Sequence, residues 1–348
     1  MEVKANANGG GKALEELLGL QVGVIGSPSS TFQIRVDFLD TVASSKLLGE
    51  LVIFPFVQDG LPHYAVGQIP HVVTEGSETP YCDELEIKAI FRRTGNQTYE
   101  PDMLGTAPPL GTPVYLVNNE VLRELLRSYQ KSGLFYLGYL NDGKTKLPLW
   151  FRHFGSGEGG AGGTYNLGIF GKAGSGKSVL AKMIFLAYAR FSQMAILVID
   201  PQGEFSKAIQ GKSMGDFYLP MGKILKRFGR ELGKELMCLE MISALVDQRG
   251  GFERLLFGAT LDGQRRVATL SEVLEWLWGR KSKDRPILVL DLSGREFKGT
   301  SWNDVLQRLV IERLIGEIAS VSESSFMEGE RNLNTLILVE EAHRFVSN

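Results

Sequence analysis

Gly171-Lys172-Ala173-Gly174-Ser175-Gly176-Lys177-Ser178 stands between a short apolar stretch, Asn166–Phe170, and a run, Ser178–Phe191, in which Val179, Leu180, Met183, Ile184, Ala187 and Phe191 recur at helical spacing. The octapeptide fits G-x-x-x-x-G-K-[ST], and it sits where that pattern cradles phosphates, after a predicted strand and at the mouth of an amphipathic helix. Phosphates need backbone N–H groups at close range, and glycine permits both the required φ and the approach without a Cβ. Lys177 is the point charge expected at the β- and γ-phosphates, and Ser178 the expected Mg²⁺ ligand. Val179 follows them into a helix whose positive end faces the anion. A Gly-rich turn can match the bare pattern by accident, but the flanking strand and helix argue against that here.

Downstream the chain alternates strand and helix. Ala195–Ile199, Pro286–Leu290 and Thr335–Val339 are continuous apolar runs, each closed by an acid (Asp200, Asp291, Glu340), as expected of buried parallel strands. Asn166–Phe170, the P-loop helix and Ala195–Ile199 form a βαβ unit, for which a right-handed crossover is expected. Val305–Ile318 reads as a helix, and residues 216–280 read as mainly helical, an insertion packed on the core. The fold class is α/β with a mostly parallel sheet.

Leu336-Ile337-Leu338-Val339-Glu340-Glu341 is the second chemical signal, an apolar strand delivering two acids at its carboxyl end. Glu340 is placed to orient Mg²⁺ or its water, and Glu341 to polarise an attacking water. Neighbouring strand residues point to opposite faces, but the strand ends here, so the backbone can turn both acids one way. Many strands end in an acid without chemistry, so the pair takes its meaning from the P-loop. At Asp200-Pro201-Gln202-Gly203-Glu204-Phe205 two readings stand: Asp200 lies where open α/β sheets bind ligands, and Asp-Pro is also an ordinary strand stop. Asp291, closing the next strand, is a weaker candidate.

Upstream, residues 1–14 read as a flexible tail and 15–150 as a small all-β domain, with residues 151–348 forming the ATPase domain. Strands are expected at Gln21–Ile25, Thr31–Phe38, Glu50–Pro55, His63–Ile69, Leu85–Phe91, Val114–Val117 and Leu134–Leu140, with a helix over Glu120–Gln130. Short strands at this spacing point to a barrel or sandwich. Gly155–Gly163 reads either as an inter-domain linker or as a loop beside the nucleotide, and the residues alone do not separate the two.

A length of 348 residues suits two domains. The net charge of −2 shows no global basic excess, so any contact with nucleic acid must use local charge or a pore lined by several subunits. Lys223, Lys226, Arg227, Arg230 and Lys234, and again Arg280, Lys281, Lys283 and Arg285, form basic clusters. A DNA-facing stripe and a solvated helix face both fit them, the second being the commoner. Cys82 and Cys238, the two cysteines present, have no metal-ligand spacing, and the four histidines show none either. Apolar runs stay far below the roughly 20 residues that cross a bilayer, and Met1–Lys12 has no apolar core of a signal peptide. A soluble, cytoplasmic protein in a reducing compartment is expected.

Three stretches together resemble the HerA branch of the HerA/FtsK superfamily of P-loop ATPases: Gly168–Ser178, Leu197-Val-Ile-Asp-Pro-Gln-Gly-Glu-Phe205 and Leu338-Val-Glu-Glu-Ala-His-Arg-Phe345. The family commonly has His and Tyr where this chain has Gln202 and Phe205. The resemblance implies a RecA-like P-loop NTPase domain preceded by a HAS-barrel-like domain. It implies an ATP- and Mg²⁺-dependent DNA translocase or helicase, a homohexamer around double-stranded DNA with ATP between subunits, and a NurA-like nuclease or a defence effector as partner. It also draws Asp200 into the nucleotide site. Arg152-His153 resembles an Arg-His pair found before the P-loop strand, which would let Arg152 reach a neighbour's γ-phosphate. Family members continue past the Walker B strand with further strands, a polar sensor and an arginine finger, so a C-terminal part is expected to be missing after Asn348. A nucleotide-gated scaffold that recruits an effector, a small-molecule kinase and a conjugation or secretion ATPase are the alternatives; the paired acids on a separate strand and the β-rich domain argue against the kinase.

Overall fold

The computed structural model describes residues 13–42, 44–76, 79–95, 98–129, 134–140, 143–150, 167–212, 219–246, 252–261, 263–278, 285–294, 302–327 and 335–344. The chain divides into two units, Met1–Arg152 and His153–Asn348.

The first unit runs α1 (Leu14–Leu17), β1 (Gln21–Ile25), β2 (Val36–Phe38), β3 (Leu51–Gln58), β4 (Leu61–Gln68), β5 (Tyr81–Cys82), β6 (Glu86–Arg93), β7 (Tyr99–Asp102), β8 (Pro113–Leu116), α2 (Asn119–Leu125), β9 (Leu134–Tyr139) and β10 (Lys146–Trp150). β1 to β8 form one antiparallel sheet in the order β5-β2-β1-β8-β3-β4-β6-β7, and β9 pairs with β10 separately. β3 shows why its sequence is an unbroken apolar run. Val52, Phe54 and Phe56 enter one core with Val22, Val36, Ala65 and Ile90. Leu51 and Ile53 enter another with Tyr64, Val66, Phe91 and the helix residues Leu14, Val121 and Leu125. Side chains alternate between faces, and here both faces are buried. The Asn118 side chain starts α2 by accepting from the N–H groups of Glu120 and Val121, both at 2.9 Å.

The expected all-β unit is present, but a ladder closing β5 onto β7 is not among the described pairings. The strand expected over Thr31–Phe38 contracts to Val36–Phe38. Serine hydroxyls claim the segment before it: Ser29 donates to the Gly26 carbonyl at 2.8 Å and accepts from Arg35 N–H at 3.0 Å, and Ser30 accepts from Gln33 N–H at 3.1 Å.

The second unit runs α3 (Lys177–Ala189), β11 (Ala195–Asp200), α4 (Glu204–Ile209), α5 (Met221–Arg227), β12 (Leu236–Val246), β13 (Phe252–Leu261), β14 (Gln264–Thr269), α6 (Leu270–Trp278), β15 (Ile287–Asp291), α7 (Asp304–Met327) and β16 (Thr335–Val339). Its sheet is ordered β14-β13-β12-β15-β11-β16. β12, β15, β11 and β16 are parallel, and β13 and β14 extend the sheet antiparallel from β12. Every residue of β11 and β15 is buried, as their apolar runs require.

Two expectations are corrected. The mainly helical insertion over 216–280 is instead built around β12, β13 and β14, and among its described residues only α5 and α6 are helical. Leu236–Val246 has apolar residues at both parities, so its pattern suits either element; burial decides. Leu239, Met241, Leu255, Phe257, Ala259 and Ala268 share one core with Val273 and Leu277 of α6 and Val310 and Leu314 of α7. The strand expected at Asn166–Phe170 is the second correction. Asn166 lies outside the described residues, and 167–170 form no ladder, with Leu167 and Phe170 exposed. A strand needs a neighbour's hydrogen-bonding groups, and no described strand pairs with residues 167–170. Among the described residues, no helix is long and apolar enough to cross a membrane.

Candidate functional site

The P-loop, Gly171–Gly176, is exposed throughout. Gly174 and Gly176 hold φ of 76° and 88°, a region that only glycine enters cheaply. Gly176 caps the N-terminus of α3 in the left-handed conformation, and Lys177 and Ser178 form the helix's first turn. Lys177 Nζ donates to the Lys172 carbonyl at 3.0 Å, so the ammonium folds back over the loop that phosphates would fill. Ala173 and Ser175 lie on that loop, and the Val179 side chain is about half exposed.

β16 brings the acid pair to the same edge. Val339 is the last Cα partner of Ile199, and Glu340 N–H continues the ladder by donating to the Ile199 carbonyl at 3.1 Å. Glu340 thus follows β16 next to Asp200 at the end of β11. It is 7% exposed, and neither carboxylate oxygen has a partner in hydrogen-bond geometry among the described residues. Burial pushes its carboxyl up to about 7. The Ser178 hydroxyl, close enough to interact though off that geometry, pulls the other way, as does Lys182, while Asp200 and Glu204 push it further up. Glu341 has a φ of 52°, so strand alternation stops at this point, and its carboxylate pairs with His343 Nδ1 at 3.4 Å.

Asp200 is fully buried. It accepts from Glu204 N–H at 3.0 Å, Phe205 N–H at 2.9 Å and Ser206 N–H at 3.1 Å, so its carboxylate caps α4. Burial raises its pKa, the Ser206 N–H lowers it, and Asp291 raises it again. The turn-forming reading is therefore the one whose contacts are present, while the site reading rests on the field Asp200 exerts at Glu340. Asp291 accepts from Ser206 Oγ at 2.9 Å and Ser293 N–H at 2.8 Å. Glu240, Asp291 and Asp200 are Cα partners across β12, β15 and β11. With Glu340 beside them, four acids stand in a row along the carboxyl edge.

Sequence reasoning missed Lys182 and Ser206. Lys182 sits one helical turn after Ser178, 3.7 Å from Glu204 and over the Phe205 ring at 5.4 Å; the four-residue spacing was the available signal. Arg230 is a correction of the opposite kind. Grouped with exposed basic residues, it is instead 2% exposed and donates to the carbonyls of Ala189, Phe191 and Arg285. Lys223, Lys226 and Arg227 are exposed along α5. Arg152, the Gly155–Gly163 stretch and Arg280, Lys281 and Lys283 lie outside the described residues.

A buried carboxylate with both oxygens unpaired, beside the P-loop serine, fits Mg²⁺, which takes one or two protein oxygens and completes its shell with phosphate and water. Residues 164–227 match the family described as Helicase HerA, central domain. No curated protein matches the chain. The matched stretch carries the P-loop, α3, β11, α4 and α5, while the acid pair of β16 lies beyond it. The match spans less than a fifth of the 348 residues and, with the motifs, supports a HerA-type P-loop ATPase.

Proposed function

We propose that the chain is a subunit of an ATP-driven double-stranded DNA translocase or helicase, working as a homohexameric ring with a NurA-like nuclease or a defence effector. The observation that carries the ATP-hydrolysing part is Glu340, buried and unpaired beside Ser178 at the P-loop. Ser178 and Glu340 would hold Mg²⁺, which would supply charge neutralisation for the phosphates. The backbone from Gly171 to Gly176 binds the phosphates, and Lys177 leaves the Lys172 carbonyl to meet their charge. Glu341 orients and deprotonates the attacking water. Arg152 would reach the nucleotide of a neighbouring subunit. The DNA part rests on the similarity to HerA helicases over residues 164–227. A motor of this kind grips the phosphate backbone and has little sequence preference.

The test is ATP hydrolysis with and without linear double-stranded DNA, with Glu341→Gln as control. Stimulation by DNA that the variant loses supports the motor and places the general base at Glu341. A rate indifferent to DNA overturns the motor reading in favour of a nucleotide-gated scaffold.

A further inference from the structure

The carboxyl edge of the second unit's sheet holds two buried acids with one hydroxyl between them. Asp200 and Asp291 are Cα partners on β11 and β15, 0% and 7% exposed. Neighbouring strands lie roughly 4.8 Å apart, and two ionised carboxylates at that separation repel strongly where solvent screens little. The described ion pairs place no cation on either. Lys182 engages Glu204, and Arg265 engages Glu240 at 3.6 Å. Lys207 and Lys212 line a cavity of about 210 Å³ that Asp291 borders, without forming an ion pair to it among the described residues.

The two acids are compensated unequally. Asp200 receives three backbone N–H groups from the start of α4. Among the described residues Asp291 receives one, from Ser293, on Oδ1. Its Oδ2 faces Ser206 Oγ at 2.9 Å, and the same Oγ lies 3.2 Å from Asp200 Oδ2. A hydroxyl has a single proton to give, so the bond to Asp291 is the one this edge needs. Other contacts tie the same strand ends: Gln307 Nε2 donates to the carbonyls of Leu292 at 2.9 Å and Pro201 at 3.3 Å, and Leu292 N–H donates to the Asp200 carbonyl at 2.9 Å. Glu340 N–H hangs on the neighbouring Ile199 carbonyl.

We propose that Ser206 is a positioning residue of the nucleotide site: its hydroxyl serves Asp291 while its main-chain N–H serves Asp200, which holds the ends of β11 and β15 together against their like charges and so keeps Glu340 in place beside Ser178. The kinetic part of this rests on the ATPase reading; the structural part does not.

In the 348-residue chain, Ser206→Ala is expected to lower kcat for Mg²⁺-ATP hydrolysis about tenfold with KM little changed. It is also expected to lower the unfolding midpoint by roughly 3–6 °C and to speed hydrogen exchange in the peptide containing Glu340. Ser206→Thr restores all three. So does Asp291→Asn placed in the Ser206→Ala background, because it removes the charge that the hydroxyl answers; a mere packing defect at Ser206 would not be repaired from another strand. The proposal is overturned if Ser206→Ala behaves like the parent, or if Asp291→Asn adds to the loss. If the parent does not hydrolyse ATP, the ATPase reading fails, and the midpoints and the exchange at Glu340 still decide whether Ser206 holds this edge.

Discussion

Arg230 Nη2 donates to the carbonyl of Phe191 at 3.0 Å, just beyond the last turn of the P-loop helix. The same guanidinium reaches the Ala189 carbonyl at 3.3 Å and the Arg285 carbonyl at 2.8 Å. The carbonyls at a helix end have no partner within the helix, and a cation there also meets the negative end of its dipole. Arg230→Met keeps the apolar stem and removes every donor, so it should cost about 2–4 kcal/mol in urea unfolding. Arg230→Lys should recover little, because one ammonium lacks the planar fork that serves several carbonyls at once. A loss within about 0.5 kcal/mol would show that Arg230 belongs with the solvated basic face.

Lys177 makes the opposite case. Its ammonium touches the Lys172 carbonyl on an exposed loop, so Lys177→Ala should leave stability within about 0.5 kcal/mol. ATP affinity, read by titration with a fluorescent nucleotide, should fall at least tenfold, about 1.4 kcal/mol. Gly176→Ala separates backbone from charge. A Cβ at Gly176 meets nothing within 4 Å, so its penalty is the left-handed φ alone, on the order of 1–2 kcal/mol. Equal stability losses in the two variants would contradict this division.

How far the sequence could be read depended on whether a residue's role is local. The P-loop was legible because glycine at 174 and 176 answers a backbone demand within the loop itself. β11 and β15 were legible because parallel strands inside a sheet leave apolar runs; β16 has the same composition, but it is the last strand of the described sheet and is only partly buried, not the fully buried strand its run suggests. β12 was not, since its residues satisfy helical and strand periods alike, and its pairing with β13 and β15 and the burial that follows decide. Arg230 looked like its exposed neighbours because sequence records charge and not burial. Ser206 was invisible for a third reason: its partner Asp291 is 85 residues away and meets it only through the register of β11 with β15. The Asn166–Phe170 stretch has strand composition, yet composition supplies no neighbour to bond.

Asp200 allows the turn-forming and nucleotide-site readings to be weighed against each other. As the cap of α4 it accepts three N–H bonds, so Asp200→Ala should cost about 1–2 kcal/mol. Toward the acid pair, its described influence is the field that raises the pKa of Glu340. ATP affinity of the folded variant should therefore stay within about threefold of the parent, under 0.7 kcal/mol. A larger loss of affinity with stability unchanged would put Asp200 in the binding machinery instead.

Glu340 links stability, pH and the cation. Its folded pKa, pushed up to about 7 chiefly by burial, lies above the roughly 4.3 of an unfolded glutamate. The folded state thus holds this proton more tightly than the unfolded one. The stability that comes from it is fully present below the unfolded pKa, and is lost as pH rises through the folded pKa. Between pH 5 and pH 8, without divalent cation, the parent should lose on the order of 2–3 kcal/mol relative to Glu340→Gln, which has no carboxyl to ionise. Mg²⁺ with ATP binds the ionised carboxylate, so it should stabilise the parent more at pH 8 than at pH 5.5, and EDTA should remove that gain. Glu340→Gln should show neither trend. Urea unfolding of both chains across this range settles the matter: a parent–variant difference that stays flat with pH would mean the carboxylate is hydrated or paired in solution, and that the buried, unpaired oxygen donor beside Ser178 is not there to receive Mg²⁺.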